Sequence, residues 1–128
     1  MGKSLHNDTF DAMLNYIANN GDKLCVCSAE PTTYTQAVTT YELADVTLTK
    51  GAGNGDYTIG DGDASGRKLA VAEQANIDVD VAGTATHIAI VDISNTKLLL
   101  VTTCVSQAVS AGGKVTIQTF DCEVGDPT

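Results

Sequence analysis

The stretch GTATHIAIVDISNTKLLLVTTC, residues 83–104, decides the fold class of this chain. Two apolar, partly β-branched segments flank the polar triplet Ser94, Asn95 and Thr96. This pattern is typical of a β-hairpin with a polar turn, and the unbroken apolar runs predict that both of its faces are buried. We therefore expect the hairpin to form the centre of a core built from sheets.

The segments around this hairpin have the pattern of short strands separated by Gly/Asp turns. The clearest is IDVDV at residues 77–81, where apolar and acidic side chains alternate as on a half-buried strand. Further strands are predicted at residues 23–28, 41–50, 57–59, 67–72 and 114–120, with a small-residue loop at residues 106–113. About seven or eight strands at a spacing of roughly 8–12 residues predict a mainly β, antiparallel fold, which is a β-sandwich or a jelly-roll-like barrel.

One α-helix is predicted before the strands. Phe10, Met13, Leu14 and Ile17 occupy positions i, i+3, i+4 and i+7, which places them on one apolar stripe. A helix this short needs a surface to pack on, and that surface is either the chain's own sheet or a neighbouring subunit. A single helical turn is one interpretation of residues 34–38, within a Thr-rich segment.

The length and composition fit one domain. The 128 residues and their 43% hydrophobic content are enough to build a core. No linker-like stretch and no internal repeat divides the sequence. We therefore predict a single β-rich domain over residues 1–128, with an N-terminal arm and helix at 1–21, a β core at 22–124 and a tail at 125–128.

The charge balance excludes some partners. Seven Lys and Arg residues against 16 Asp and Glu residues give a net charge of −9. Nucleic-acid binding needs a basic surface, so we expect no nucleic-acid partner. The apolar runs are shorter than the ~20 residues of a membrane helix, and the N-terminus turns polar at once, so we expect neither a membrane segment nor a signal peptide.

The four cysteines are Cys25, Cys27, Cys104 and Cys122. In a cytosolic protein we expect free thiols that pack as small apolar side chains, although Cys104 and Cys122 could instead lie on neighbouring strands and form a disulfide. The C-x-C spacing differs from the C-x₂-C spacing of zinc sites, and no G-x-S-x-G motif presents a serine. The sequence therefore predicts no enzyme activity, no metal and no cofactor.

The acidic residues suggest two further surfaces. In the glycine-rich residues 51–66, Asp56, Asp61 and Asp63 could supply oxygens to a cation, but their spacing is not that of an EF-hand. The glycines there match no phosphate-binding pattern, and Asn-Gly and Asp-Gly steps are common in turns, so a turn is the favoured interpretation. The face with Asp78 and Asp80 is either solvated surface or the acidic side of an interface.

Five segments, which together cover nearly the whole chain in order, resemble small structural proteins encoded near the head genes of tailed bacteriophages. They are LHNDTFDAMLNYI at 5–17, LCVCSAEPTTYTQAVTTYELADV at 24–46, TIGDGDASGRKLAVA at 58–72, GTATHIAIVDISNTKLLLVTTC at 83–104 and VTIQTFDCEVGDP at 115–127. None of these segments is a catalytic motif. The resemblance implies a virion structural component, in particular a capsid decoration (cement) protein.

The resemblance also implies partners and a location. Such proteins are assembled in the host cytoplasm and bind the major capsid protein on the outside of the virion, often through an N-terminal arm or helix. The residues expected to bind the partner are Leu5, Phe10, Met13, Leu14 and Ile17. We also expect a homo-oligomer such as a trimer. The alternatives are a neck, tail or fibre protein, and a small ligand- or cation-binding module.

Overall fold

The structure is a computed structural model that describes residues 5–125. Its elements are α1 Asn7–Asn20, β1 Lys23–Cys27, a π-helical turn Gln36–Thr40, β2 Glu42–Thr47, β3 Tyr57–Asp61, β4 Arg67–Val71, β5 Gln74–Asp78, β6 Gly83–Asp92, β7 Lys97–Val109, β8 Lys114–Ile117 and β9 Phe120–Val124. Strands make up 50% and helices 17% of the chain. The predicted fold class is confirmed: the chain is mainly β and antiparallel, with one N-terminal α-helix, consistent with a β-sandwich-like fold.

The chain forms two compact units. The helix unit comprises the described parts of Met1–Asn20, Thr49–Glu73 and Thr119–Thr128, and the large-sheet unit comprises Gly21–Leu48 and Gln74–Gln118. The prediction of one domain with boundaries after residues 21 and 124 stays a prediction. Most of its tail, residues 126–128, and the first four residues of its arm lie outside the described part of the chain.

The large-sheet unit is built on a sheet of strand order β2-β1-β6-β7, beside which β5 pairs with β8. The predicted hairpin is confirmed as β6 and β7, and its turn places Thr96 at a φ of 52°. The expected burial is only half right. Residues 88–92 of β6 are buried, whereas β7 is half-exposed along most of its length because it forms the edge of the sheet.

Two boundary predictions around β7 are wrong. Residues 106–109, expected in a loop, continue β7 and pair with the beginning of β6, for example Val109 with Gly83. Register shifts interrupt the pairing of β6 with β7 twice, and Val105 lies at one of them with 83% of its surface exposed. The expected strand at 114–120 is two strands, because β8 ends at Ile117 and β9 begins at Phe120.

In the helix unit, α1 packs on β3 and β4 of its own unit. Phe10, Leu14 and Ala18 are the buried residues of the helix, and their spacing of four places them on one face. Of the two surfaces predicted for the helix, its own sheet is therefore the one observed for this face. The sheet itself has the order β3-β4-β9, so that the central strand β4 lies between the two others.

One face of the large sheet is covered by residues 34–41, which include the π-helical turn. The buried residues of this cluster are Cys25, Cys27, Ala37, Ala89 and Val91. Tyr34, Val38, Tyr41, Leu98 and Val101 pack around it. A helical turn is therefore observed in this Thr-rich segment, and its apolar side chains pack on the large sheet.

Candidate functional site

The residues predicted to bind a partner divide into two sets. Phe10 and Leu14 are each only 1% exposed and contribute to the core of the helix unit, and Ile17 is half-buried. Leu5 and Met13, in contrast, are 43% and 47% exposed. In this conformation Leu5 and Met13 can contact another protein while α1 stays packed on its sheet, whereas Phe10 and Leu14 cannot.

A third large apolar side chain in this N-terminal part of the chain is exposed. Tyr16 is 48% exposed and follows Met13 by three positions, so the two side chains lie on one face of α1. Sequence reasoning passed over Tyr16 because it does not belong to the apolar stripe that packs on the sheet. We call Leu5, Met13 and Tyr16 the helix surface.

The aspartates of the glycine-rich segment do not converge on a common site. Asp56 Oδ2 accepts a hydrogen bond from the backbone N–H of Thr49 at 2.6 Å. The carboxylates of Asp61 and Asp63 are bound by Arg67 at 2.7 Å and by Lys68 at 2.9 Å. Because each carboxylate already has a donor within the chain, the turn interpretation of this segment describes the structure best.

Three other carboxylates do converge, in the large-sheet unit. Oxygens of Glu42, Asp45 and Asp80 lie within 4.8 Å of one another. Glu42 and Asp45 belong to β2, and Asp80 follows the end of β5. Lys23 of β1 lies 3.5 Å from Asp45, whereas Glu42 Oε1 is buried without a hydrogen-bond partner. We call these three residues the carboxylate cluster.

The surroundings of Glu42 make it a weak acid. Burial raises the pKa of its carboxyl group from 4.5 to about 8, and the hydrogen bonds and negative charges of Asp45 and Asp80 act in the same direction. At neutral pH Glu42 therefore holds a proton, which it can donate to either aspartate. Three carboxylates of this kind could contact a hard cation such as Ca²⁺, but Ca²⁺ takes about six to eight oxygen ligands, so the arrangement suits a proton better.

Sequence reasoning found only part of this cluster. It placed Asp80 with Asp78 on one acidic face, but Asp78 pairs instead with Lys114. It did not single out Glu42, because one Glu at the start of a predicted β-strand is ordinary in a sequence. The available clue is that Glu42 and Asp45 interrupt an otherwise apolar strand, and this could not show that residues 42 and 80 meet.

The structure places a thiol opposite an imidazole, since Cys27 pairs with His87 across β1 and β6. They do not form a nucleophile and base. The Cys27 thiol faces the carbonyl of Ala37 at 3.6 Å, and Nδ1 of His87 lies 2.9 Å from the hydroxyl of Thr86. Burial raises the pKa of Cys27 to about 12, so its thiol stays protonated and is a poor nucleophile.

The other cysteines agree with the prediction of free thiols. All four are unbridged, and burial also raises the pKa of Cys25 to about 12. The alternative disulfide between Cys104 and Cys122 is not present. Cys104 belongs to β7 and Cys122 to β9, and the latter pairs with Leu69 of β4.

Comparisons with known proteins do not identify the chain. No protein-family model, no curated protein and no solved structure matches it. Within residues 5–125, no helix has the length and apolar character needed to cross a bilayer.

Proposed function

We propose that this protein is a non-enzymatic virion structural protein of a tailed bacteriophage, and that it decorates the capsid by binding the major capsid protein. The observation that carries the proposal is the helix surface: Met13 and Tyr16 of α1, and Leu5 just before it, are exposed, whereas Phe10 and Leu14 of the same helix are buried. The resemblance of five segments to phage head proteins supports it.

The way in which α1 is held suits a binding element. Phe10 and Leu14 fix the helix on β3 and β4, so the exposed side chains are presented in a defined arrangement before any partner arrives. Pre-organisation of this kind reduces the entropy lost on binding. Aromatic and Met side chains are also enriched where proteins contact one another, which fits Tyr16 and Met13.

The chemistry of the reactive groups supports a role without catalysis. The buried thiols of Cys25 and Cys27 stay protonated at neutral pH because burial raises the pKa of each to about 12. Arg67 and Lys68 are both engaged with aspartates. The net charge of −9 also disfavours contact with a packaged genome and favours repulsion between free copies.

Electron cryomicroscopy of purified particles of the encoding phage tests the proposal. We expect ordered density for this protein on the outside of the major capsid protein. Its copy number should be on the order of hundreds per particle, as for other components of a capsid lattice. Absence from the particles would overturn the proposal. A position in the neck, tail or fibre, with far fewer copies, would move the protein to the alternative virion role.

A pair of variants tests the helix surface itself. Met13→Asp should reduce incorporation into particles, because it places a charge among the exposed apolar side chains. Val105→Asp is the matched control, since Val105 is 83% exposed but belongs to the large-sheet unit and lies outside the carboxylate cluster. Equal incorporation of both variants, with unchanged thermal unfolding, would show that the helix surface is not the contact.

A further inference from the structure

The carboxylate cluster lies where a connecting segment crosses β2 of the large-sheet unit. Residues 79–82, which we call the strap, link β5 to β6. The backbone N–H groups of Asp80 and Val81 both donate to the carbonyl of Leu43, at 2.8 and 3.1 Å. These two hydrogen bonds hold the middle of the strap on the strand that carries Glu42 and Asp45.

The two ends of the strap are fixed independently of the cluster. At one end Val79 is bridged to Ala44 and exchanges hydrogen bonds with the turn at Gly112 and Gly113. At the other end Gly83 lies so close to Leu43 that a Cβ on it would be 3.0 Å from Leu43 Cδ2. Any loosening of the strap must therefore begin between these ends, at Asp80 and Val81.

The carboxylates of the cluster belong to Asp80, which donates one of these hydrogen bonds, and to Glu42 and Asp45 on either side of Leu43. With all three carboxylates ionised, Asp80 is repelled from β2, and the buried Oε1 of Glu42 has no donor to stabilise its charge. With Glu42 protonated, one repulsion is replaced by a hydrogen bond to an aspartate. Protonation of Glu42 would therefore favour the observed position of Asp80 against β2.

We propose that Glu42, Asp45 and Asp80 form a proton-operated clasp, in which a shared proton holds the strap on β2 and its loss at alkaline pH releases the strap. The clasp is a property of this fold and does not depend on the proposed virion role. The raised pKa of Glu42, about 8, supports it and places the transition just above neutral pH.

Glu42 is the group of the cluster whose pKa is raised to about 8. Lys23 of β1 lies 3.5 Å from the carboxylate of Asp45. Cys27, which pairs with Glu42 across β1 and β2, and Cys25 keep their protons because burial raises the pKa of each to about 12. The π-helical turn that packs on β2, QAVTT, carries no ionisable side chain.

Hydrogen exchange at single amides tests the clasp. Between about pH 6 and pH 9.5, with a chelator present, the amides of Asp80 and Val81 should lose about tenfold or more of their protection after correction for intrinsic exchange. In Glu42→Gln this loss should be absent, because the amide donates a hydrogen bond at every pH. Asp78→Asn is the control: its carboxylate is 80% exposed and paired with Lys114, so the response should match the unchanged protein.

A second readout keeps the proposal testable if Glu42→Gln does not fold. Carbon-13 NMR of the Glu42 carboxyl group in the unchanged protein should give a titration midpoint near pH 8. The strap amides should lose protection with the same midpoint. A midpoint below about pH 6, constant protection of the strap, or an unchanged pH response in Glu42→Gln would each overturn the clasp.

Discussion

The two units of the molecule treat their carboxylates in opposite ways. In the helix unit, Arg67 of β4 binds Asp11 of α1 at 2.8 Å and Asp61 of β3 at 2.7 Å. In the large-sheet unit, Lys23 lies 3.5 Å from one carboxylate of the cluster, that of Asp45. Asp11 and Asp61 contact a cation, whereas in the carboxylate cluster burial and the neighbouring carboxylates raise the pKa of Glu42 to about 8.

This difference shows how a chain with a net charge of −9 places its few cations. The hydrogen bonds that Arg67 donates to Asp11 and Asp61 raise the pKa of its guanidinium group, so Arg67 keeps its charge in the helix unit. Where no cation reaches, burial makes one carboxyl group retain a proton instead. The first arrangement ties a helix to a sheet at any ordinary pH, and the second holds a segment only while the proton is bound.

The largest expected effect comes from removing Phe10, which holds α1, and with it Asp11, on the sheet that carries Arg67. Phe10→Ala should lower the free energy of unfolding by about 3–5 kcal/mol, because it leaves a cavity between α1 and its sheet. Chemical denaturation measures the loss, and hydrogen exchange should show it first in β4. Met13→Ala is the matched control and should stay within about 0.5 kcal/mol, since Met13 is exposed.

A cation introduced at residue 80 should give the carboxylate cluster a positive charge, as Arg67 gives one to Asp11 and Asp61. Asp80→Lys supplies a cation, which should lower the pKa of Glu42 and raise the free energy of unfolding near pH 8 by about 1–2 kcal/mol; solvent screening keeps this below the full effect of the pKa shift. The sign follows from linkage. Because the pKa of Glu42 is raised from 4.5 to about 8, its contribution to stability is full below pH 4.5 and is lost as pH rises through 8.

Denaturation curves at several pH values check this prediction. In the unchanged protein stability should fall from mildly acidic to alkaline pH, and in Asp80→Lys the fall should be smaller. Asp78→Lys serves as the control, because it alters an exposed residue outside the cluster. Identical pH profiles for the unchanged protein and Asp80→Lys would contradict the role assigned to the cluster.

A smaller effect is expected from the ion pairs of the helix unit. Arg67→Gln should lower the melting temperature, because Asp11, whose side chain is 25% exposed, loses its partner. The drop should shrink in high salt, where the pair with the exposed Asp61 is already screened. Lys68→Gln is the control and should do less, since its partner Asp63 is 75% exposed. Equal decreases in melting temperature for the two variants would contradict the larger contribution to stability expected of the Arg67 ion pairs.

Thiol labelling compares the accessibility of the cysteines in the two units. Cys122 of β9 is half-buried, whereas Cys25 and Cys27 are buried and keep their protons because burial raises the pKa of each to about 12. We expect a thiol reagent to modify Cys122 long before Cys25 or Cys27, as resolved by mass spectrometry of peptides. In Phe10→Ala the labelling of Cys122 should accelerate most. Equal rates at all four thiols would show that the chain opens as a whole.

Much of the local structure was predictable from the sequence. The hairpin around residues 94–96 and the helix over residues 7–20 follow from short-range patterns of apolar and turn residues. The exposure of β7 was not predictable, because an edge strand and a central strand have the same local pattern. The apolar stripe of α1 likewise did not reveal that Phe10 and Leu14 are buried while Met13 stays exposed, because the pattern does not show how wide a face the sheet covers.

The sequence by itself determined the class of the fold, since alternation and turn residues act over a few positions along the chain. Only the tertiary structure decided which acids meet: the strap brings Asp80 to Glu42, which lies in a distant part of the sequence. The physical reason is that a carboxyl group's pKa depends on burial and on charges across space. Those follow from strand register and chain path, which no local pattern encodes.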